Sequence, residues 1–196
     1  MTIRPLLLTL PLLLTGCSTL SNFSWSSLSP FNWFGGSSIE VTDSGVGGIN
    51  ASTPLNQDAL EKALDGNYRL RSGMATNDGK IVSFYQAMTD KEVKLVITGQ
   101  EKGTVQRVDV LDENIGSEWG VKIGAPFSDL YTKAFGSCEK AQGDDADGVE
   151  CKAPQSQRVS YIFSGIWHGP EGLMPSDDAL KDWKVTKIVW RANASQ

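Results

Sequence analysis

The chain contains a single histidine, and it is the natural starting point for any catalytic chemistry. His168 lies in the run Trp167-His168-Gly169-Pro170. A hydrolase of the Ser-His-Asp type needs a histidine as general base beside a serine nucleophile, yet no Gly-x-Ser-x-Gly motif is present. The Gly-Pro pair after His168 indicates a loop. We therefore predict no catalytic residue and no enzyme activity. Trp167 and His168 are candidate binding residues, and the alternative is a packing role for Trp167 and a surface or structural role for His168.

Two arginines offer a second kind of chemistry, the binding of an anion. Arg69 and Arg71 flank Leu70, so both side chains point to the same side if this stretch is a strand. Two guanidinium groups on one side can hold a carboxylate or a phosphate through paired hydrogen bonds. A solvated sheet edge explains the same pattern, and the sequence leaves both interpretations open.

A cluster of carboxylates suggests a third possibility, a calcium site. Asp144, Asp145 and Asp147 lie close together in sequence, and clustered carboxylates suit a hard cation. Their spacing does not match the EF-hand loop, which also needs a glutamate at position 12. We therefore interpret the cluster as a solvated acidic loop, and we predict no metal site and no cofactor.

The first 16 residues have the pattern of a secretory signal. Arg4 is the only charged side chain before Cys17, and the apolar run Leu6–Leu14 follows it. A membrane-spanning helix needs about 20 apolar residues, and this run is too short. Residues 1–16 are therefore predicted to be removed from the folded protein.

The stretch Leu14-Thr15-Gly16-Cys17 resembles the lipobox of bacterial lipoprotein precursors. The resemblance implies cleavage between Gly16 and Cys17, a diacylglyceryl thioether on Cys17 and acylation of its new amino group. Each buried CH₂ contributes about 0.8 kcal/mol, so several acyl chains hold a protein at a bilayer without a spanning helix. Ser18, where inner-membrane lipoproteins carry Asp, resembles the outer-membrane sorting signal. The predicted location is the periplasmic face of the outer membrane.

After this anchor, the composition predicts a lipidated flexible tether over residues 17–38. The length of the remaining chain predicts one periplasmic domain over residues 39–196. The tether is rich in Ser, Asn and Gly but also carries five Phe and Trp residues, which either settle in the membrane interface or have no such role. Without Arg4, 17 Lys and Arg stand against 23 Asp and Glu. This acidic balance disfavours nucleic acid as a partner.

Two further cysteines, Cys138 and Cys151, bracket a polar loop. With Cys17 assigned to lipid and the chain exported to an oxidising compartment, a disulfide between them is the predicted pairing. Closing a loop of about 14 residues contributes on the order of 3 kcal/mol by chain entropy. The alternative, a redox or metal pair, lacks CxxC spacing and a nearby histidine.

The first half of the domain predicts one helix followed by strands. Thr53 is the expected cap, Pro54 occupies the first turn, and Gly66 ends the helix. The apolar periodicity then changes from helical to alternating. Strands are predicted over Ile81–Met88, Val93–Thr98 and Thr104–Leu111, with a further strand over Asn67–Arg71 and the Asp-Gly signal of a tight hairpin at Asn77-Asp78-Gly79.

The second half predicts the same order. Apolar residues spaced as on one helix face predict a second main helix that begins near Pro126 and is ended by Gly136; they are Phe127, Leu130, Tyr131, Ala134 and Phe135. A strand over Arg158–Ser164, a short helix over Ser176–Trp183 and a strand over Lys184–Arg191 follow.

This order of elements predicts an α+β fold, an antiparallel sheet with two main helices on one face. Short matches relate the halves: Lys62–Gly66 to Lys133–Gly136, and Val105–Val110 to Val185–Trp190. With Gly120–Phe127 leading into the second helix, the order resembles the beta-lactamase-inhibitor-like class, in which two helix-plus-strands units share one sheet. Whether a true duplication underlies the matches is left open.

Four stretches carry a closer resemblance: Leu70–Met74, Val121–Gly124, Pro126–Tyr131 and Gly169–Asp178. They resemble the YfeY-like lipoproteins of enterobacteria, whose expression is governed by the envelope-stress sigma factor RpoE. The similarity covers nearly all of the mature chain, Cys17 included. It implies a cell-envelope lipoprotein without an established catalytic activity.

The leading hypothesis is therefore a non-enzymatic outer-membrane lipoprotein that faces the periplasm and binds an envelope protein or another envelope component. The N-terminal lipid would attach this protein to the membrane. Two alternatives make different demands on the structure. An enzyme acting on an envelope polymer needs a cleft with converging carboxylates of perturbed pKa, and a carrier of small apolar ligands needs a sizeable apolar cavity.

Overall fold

The computed structural model describes residues 39–77, 79–170 and 172–193. These ranges hold eleven strands and three short α-helices, which follow one another along the chain as β1 (Val41–Thr42), β2 (Gly45–Val46), β3 (Ile49–Asn50), α1 (Gln57–Ala63), β4 (Arg69–Asn77), β5 (Lys80–Thr89), β6 (Glu92–Gly99), β7 (Val105–Val110), α2 (Phe127–Leu130), β8 (Cys138–Lys140), β9 (Val149–Lys152), β10 (Val159–Ser164), α3 (Asp177–Leu180) and β11 (Lys184–Arg191). The fold is mostly β. The predicted α+β class is only loosely compatible with it, because the longest of these helices has seven residues.

Eight of the strands form one antiparallel sheet in the order β4-β5-β6-β7-β11-β10-β9-β8, and β1 to β3 form a small sheet of their own. The first four and the last four strands of the large sheet meet where β7 pairs with β11. There Val110 lies opposite Ile188, and Val108 lies opposite Trp190. The two segments that look alike in sequence are thus neighbours at the centre of the sheet. The beta-lactamase-inhibitor-like repeat itself stays a prediction.

One face of the large sheet carries the core, because alternate side chains of each central strand point to it. From β6, β7, β10 and β11 these residues are Leu95, Ile97, Val108, Val110, Tyr161, Phe163, Ile188 and Trp190, all fully buried. The cover consists of β1 to β3, the short helices and the segments between them. The Trp190 indole Nε1 donates a hydrogen bond to the Asp43 carbonyl at 3.1 Å, which ties the small sheet to β11.

The predicted first helix begins three residues later than expected. Asn56, not Thr53, is its cap, and its side chain accepts a hydrogen bond from the Ala59 N–H at 2.9 Å. The residues before it run along the neighbouring turn instead, because Pro54 bridges to Thr104 and the Leu55 N–H donates to the Gly103 carbonyl at 2.9 Å.

The predicted second main helix is wrong beyond its first turn. α2 ends at Leu130, because Tyr131 is extended (φ −137°, ψ 137°) and its hydroxyl donates to the Lys152 carbonyl at 2.7 Å. The aromatic packing is nevertheless real, since Phe127 and Tyr131 lie 5.2 and 5.9 Å from the Phe163 ring centre. Phe135, placed on the same face by its spacing, is 87% exposed.

The predicted disulfide is confirmed. Cys138 and Cys151 lie directly opposite each other on β8 and β9 and are bonded. The loop between these strands folds over the face of the sheet opposite the core, where Ala141 joins a small buried cluster with Ile162 and Val189. The loop is therefore a packed element and not only a solvated acidic segment.

The three aspartates of that loop do different things. Asp145 forms an ion pair with Lys187 on β11, with Nζ and Oδ2 2.6 Å apart. Asp144 and Asp147 are exposed. In the described ranges, no group of three or more His, Cys, Asp or Glu side chains is placed to share a metal ion.

Replacing both cysteines by alanine (Cys138→Ala with Cys151→Ala) should lower the free energy of unfolding by about 3 kcal/mol, because the unfolded chain regains the freedom of the closed loop. Urea unfolding with and without a reducing agent measures the effect. The wild type should lose a similar amount when it is reduced, whereas the double variant should not respond. Unchanged stability of the reduced wild type would show that the disulfide contributes nothing to the fold.

Candidate binding surface

Strand β4 forms one edge of the large sheet. Within the residues that the structure describes, it pairs with β5 alone. It is nine residues long and contains no proline. A strand in this position presents a row of N–H and C=O groups that no neighbouring strand satisfies, which makes it a template for pairing with another chain.

The β4–β5 hairpin extends beyond the rest of the sheet. Asn77 lies opposite Lys80, so two residues join the strands, as the Asp-Gly signal predicts. Gly79 in this turn has a φ of 73°, which glycine adopts without strain. β5 pairs with β6 only from Ser83 onward. The hairpin residues beyond that point therefore project past the neighbouring strand.

The side of the hairpin that continues the core face carries exposed apolar side chains. Met74 is 70% exposed and Ile81 is 71% exposed. By register, Leu70, Ser72 and Met74 share this side, which is the side of the buried residues of β6 and β7. Apolar residues gathered at one exposed place often mark an interaction site.

A groove of about 750 Å³ lies between this side of the hairpin and the wall that leads into α1. The bridge from Pro54 to Thr104 holds that wall in place. Apolar groups are mixed with hydroxyl, amide and charged groups along the groove: it is lined by Pro54, Leu55, Asn56, Ser72, Gly73, Met74, Ser83, Phe84, Tyr85, Glu101, Lys102 and Gly103.

Gly73 at the middle of β4 allows an aromatic ring to lie across the edge strand. Phe84 is its partner on β5, and a Cβ on Gly73 would come within 2.3 Å of the Phe84 ring. Any larger residue at position 73 would therefore displace the ring. This contact fixes the local shape of the hairpin beside the groove.

The two predicted anion-binding residues lie on the other side of the hairpin. Arg69 and Arg71 alternate with Leu70 along β4, as expected, and both are exposed. The Arg69 guanidinium donates to the Asp90 carbonyl at 3.0 Å. Arg71 makes no ion pair or hydrogen bond through its side chain within the described part of the chain.

The other two candidate binding residues are not brought to the same place. Trp167 and His168 follow β10, which is five strand spacings from β4, or about 24 Å. The half-buried Trp167 ring packs on Gly169, and its Nε1 points to the Pro170 carbonyl at 3.4 Å. His168 is exposed. Trp167 therefore shapes its own loop, and the two predicted sites are separate.

A charged cluster that the sequence analysis missed lies on the sheet face opposite the core. Arg191 on β11 pairs with Glu150 on β9 at 2.7 Å and donates to the Ser160 hydroxyl at 2.8 Å. The Ser160 hydroxyl donates in turn to Glu150. Arg107 on β7 pairs with Asp109 at 2.8 Å. Only the register of the strands brings these groups together, and the sequence does not give that register.

The hydrogen bonds and charges of this cluster stabilise the ionised form of Glu150. Burial alone would raise the pKa of Glu150, but hydrogen bonds from Arg191 and Ser160 and the charges of Arg191 and Arg107 outweigh it and leave the pKa lowered. A general acid would need the opposite shift. We therefore treat the cluster as structural and the hairpin with its groove as the candidate site.

The residues predicted to carry lipid and sorting information, Gly16, Cys17 and Ser18, lie outside the described residues, as does the rest of the tether over 17–38. None of the helices within the described ranges combines the length and the apolar content that crossing a bilayer requires.

Comparisons with known proteins give a family but no function. A family model described as a protein of unknown function, DUF1131, matches residues 22–192. The uncharacterized protein YfeY of Escherichia coli (strain K12) is 59% identical over 189 residues, which cover 96% of this chain and 98% of the relative. A crystal structure of the uncharacterized protein yfeY from Escherichia coli matches with a TM-score of 0.72 and 57% identity, over 78% of this chain and 99% of that chain.

Substituting Glu150→Gln should destabilise the fold at neutral pH by about 1–2 kcal/mol, because Arg191 loses its charged partner while both side chains are only partly exposed. The lowered pKa sets the sign of the pH dependence. The stabilisation is fully present above the ordinary pKa of 4.5 and is lost as the pH falls through the lower pKa of the folded state.

Urea unfolding at a series of pH values compares the variant with wild type. The two should converge in acid. Glu139→Gln is the matched control, because Glu139 is exposed and lies opposite Glu150, and it should change stability little. A Glu150→Gln deficit that is the same at neutral and acid pH would contradict the assignment.

Proposed function

Because this chain belongs to the YfeY-like DUF1131 family, whose function is unknown, we propose a role from its own residues: a lipid-anchored, non-enzymatic protein of the outer membrane that faces the periplasm and binds polypeptides at the β4 edge. The observation that carries the proposal is the nine-residue edge strand beside a groove. The family relationship adds no ligand and no catalytic residue.

An extended polypeptide fits this surface better than a small ligand. The edge of β4 offers alternating N–H and C=O groups, which the backbone of an added strand pairs with in register. The groove beside it takes side chains of mixed polarity, since Met74, Tyr85 and Ser83 all line it. A carrier of small apolar ligands would instead enclose its cargo in a mostly apolar cavity.

The arginines of β4 are compatible with both solubility and binding. Charged residues on an edge strand oppose unspecific pairing between copies. An edge kept free in this way remains available to a partner with complementary charges. Arg69 and Arg71 therefore favour selective binding of a partner over unspecific pairing at this edge.

The proposed location at the outer membrane rests on the N-terminal sequence pattern and agrees with the presence of the disulfide. The stretch Leu14-Thr15-Gly16-Cys17 supports lipidation at Cys17, and Ser18 supports transfer to the outer membrane. A disulfide between Cys138 and Cys151 is what an oxidising compartment permits. The resemblance to RpoE-governed lipoproteins supports an accessory role in envelope stress.

The address predicts how two substitutions redistribute the protein. Cys17→Ala should remove the lipid and leave the chain without its anchor, whereas Ser18→Asp should keep the lipid and retain the protein in the inner membrane. Membrane fractionation and mass analysis of the N-terminal peptide measure both effects. A wild-type chain that carries no lipid in a lipoprotein-competent cell would overturn the proposed address.

Polypeptide binding predicts position-specific crosslinking in cells. A photo-crosslinking amino acid at Met74, beside the groove, should give discrete protein adducts. The matched control is Ile166, which is also strongly exposed (80%) but lies in the loop after β10. Adducts that are absent at Met74, or identical at the two positions, would contradict binding at the hairpin.

A further inference from the structure

We infer that the polypeptide bound at the β4 edge is an extended segment in which acidic and apolar residues alternate. This inference rests on the proposed function and goes beyond it by assigning the chemistry of the partner. Three features of the hairpin carry it. Within the part of the chain that the structure describes, the cations on one side have no carboxylate partner and no other strand pairs with the outer edge of β4. The other side carries exposed apolar groups.

The hairpin strands are cationic in an acidic protein. β4 and β5 contain Arg69, Arg71 and Lys80 and no Asp or Glu, although the whole chain has a formal net charge of −5. Lys80 pairs with position 77 of β4, which lies an even number of residues from both arginines. The three cations therefore share one side of the hairpin.

These edge arginines differ from those at the centre of the sheet. Arg107 and Arg191 each pair with a carboxylate, at 2.8 and 2.7 Å. No such ion pair is found for Arg69 or Arg71 among the described residues. The Arg69 guanidinium donates only to uncharged acceptors there, the Asp90 carbonyl and the Met88 sulfur. Guanidinium groups on one side of a strand are well placed to bind carboxylates bidentately.

The opposite side of the same strand favours apolar groups. Met74 is largely exposed there, and Leu55 and Tyr85 line the adjoining groove. Successive residues of a strand added to β4 would point alternately to the two sides. Its acidic residues would therefore meet the arginines, and its apolar residues would meet the groove.

Two other occupants fit less well. A second copy pairing antiparallel through β4 around Gly73 would place Arg71 opposite Ala75 and Arg69 opposite Asn77, so the arginines would gain no carboxylate. An anionic lipid surface supplies negative charge but no backbone to pair with the strand edge. The acidic, apolar polypeptide satisfies the charge, the groove and the edge together.

The test measures binding of labelled ten-residue peptides to the full chain by fluorescence anisotropy. The first probe alternates valine and glutamate, the second alternates valine and lysine, and the third is the valine–glutamate peptide with every second backbone nitrogen methylated along one edge. We expect the first to bind at least about tenfold more tightly than the others, because like charges repel the second and the third cannot pair along the strand.

Variants assign the binding to the hairpin. Arg71→Glu should weaken binding of the valine–glutamate peptide at least about tenfold, and Arg71→Gln should have an intermediate effect. Lys133→Glu makes the same change of charge at an exposed position outside the hairpin, and it should leave the affinity unchanged. Circular dichroism establishes that each variant is folded.

Each other result overturns the inference in a recognisable way. Equal binding of the valine–lysine peptide removes the acidic preference, and equal binding of the methylated peptide removes strand pairing. If no probe binds while Met74 still crosslinks to a protein in cells, the partner chemistry is wrong and polypeptide binding stands. If phosphatidylglycerol vesicles bind in an Arg71-dependent way and the peptides do not, the partner is a lipid surface. A dimer that forms through β4 and excludes the peptide makes the partner a second copy.

Discussion

The pairing of β7 with β11 determines how the large sheet is assembled. It joins the first four and the last four strands into one sheet and buries Val108, Ile188 and Trp190 at the junction. The Trp190 indole also holds the small sheet through the Asp43 carbonyl. Because these two strands occupy the centre, β4 and β8 necessarily become the edges.

The two edges of the large sheet differ in length and in cover, and this difference supports the proposed binding at β4. β8 has three residues, is bonded to β9 through the disulfide, and is followed by a loop that packs back over the sheet. β4 has nine residues and no comparable cover in the described part of the chain. Short, covered edges avoid unwanted pairing, whereas a long, open edge invites a partner. In the proposed complex, the groove beside the open edge would receive side chains of the bound strand.

Much of the sheet could be predicted from the sequence, because alternation of apolar residues is a local property. This alternation predicts the strands β5, β6, β7, β10 and β11, and the Asp-Gly signal predicts the hairpin. The sequence does not predict β1 to β3, β8 or β9, since strands of two to four residues are too short to show a period. The prediction of a second main helix is wrong because Phe127 and Tyr131 both reach the core although the backbone is already extended at Tyr131. The spacing of apolar residues alone does not distinguish a continuous helix from one turn followed by an extended segment.

The candidate site was predicted only in part, for the same reason. Alternation placed Arg69 and Arg71 on one side of a strand, but nothing local shows that this strand lies at an edge. The groove also depends on long-range pairing, because its walls come from the hairpin and from the segment that bridges Pro54 to Thr104. Trp167 and His168 form a separate loop, and the Glu150–Arg191 pair requires a strand register that no spacing in the sequence reveals.

Amide hydrogen exchange of β4, measured in native membranes and in the purified protein, shows whether the edge strand is occupied in the cell. If the edge binds a polypeptide strand, the outward-facing amides of Arg69–Asn77 should exchange more slowly in the membranes, while β8 and the loop that follows β10 should exchange alike in both samples. Identical exchange of β4 in the two samples would contradict the account.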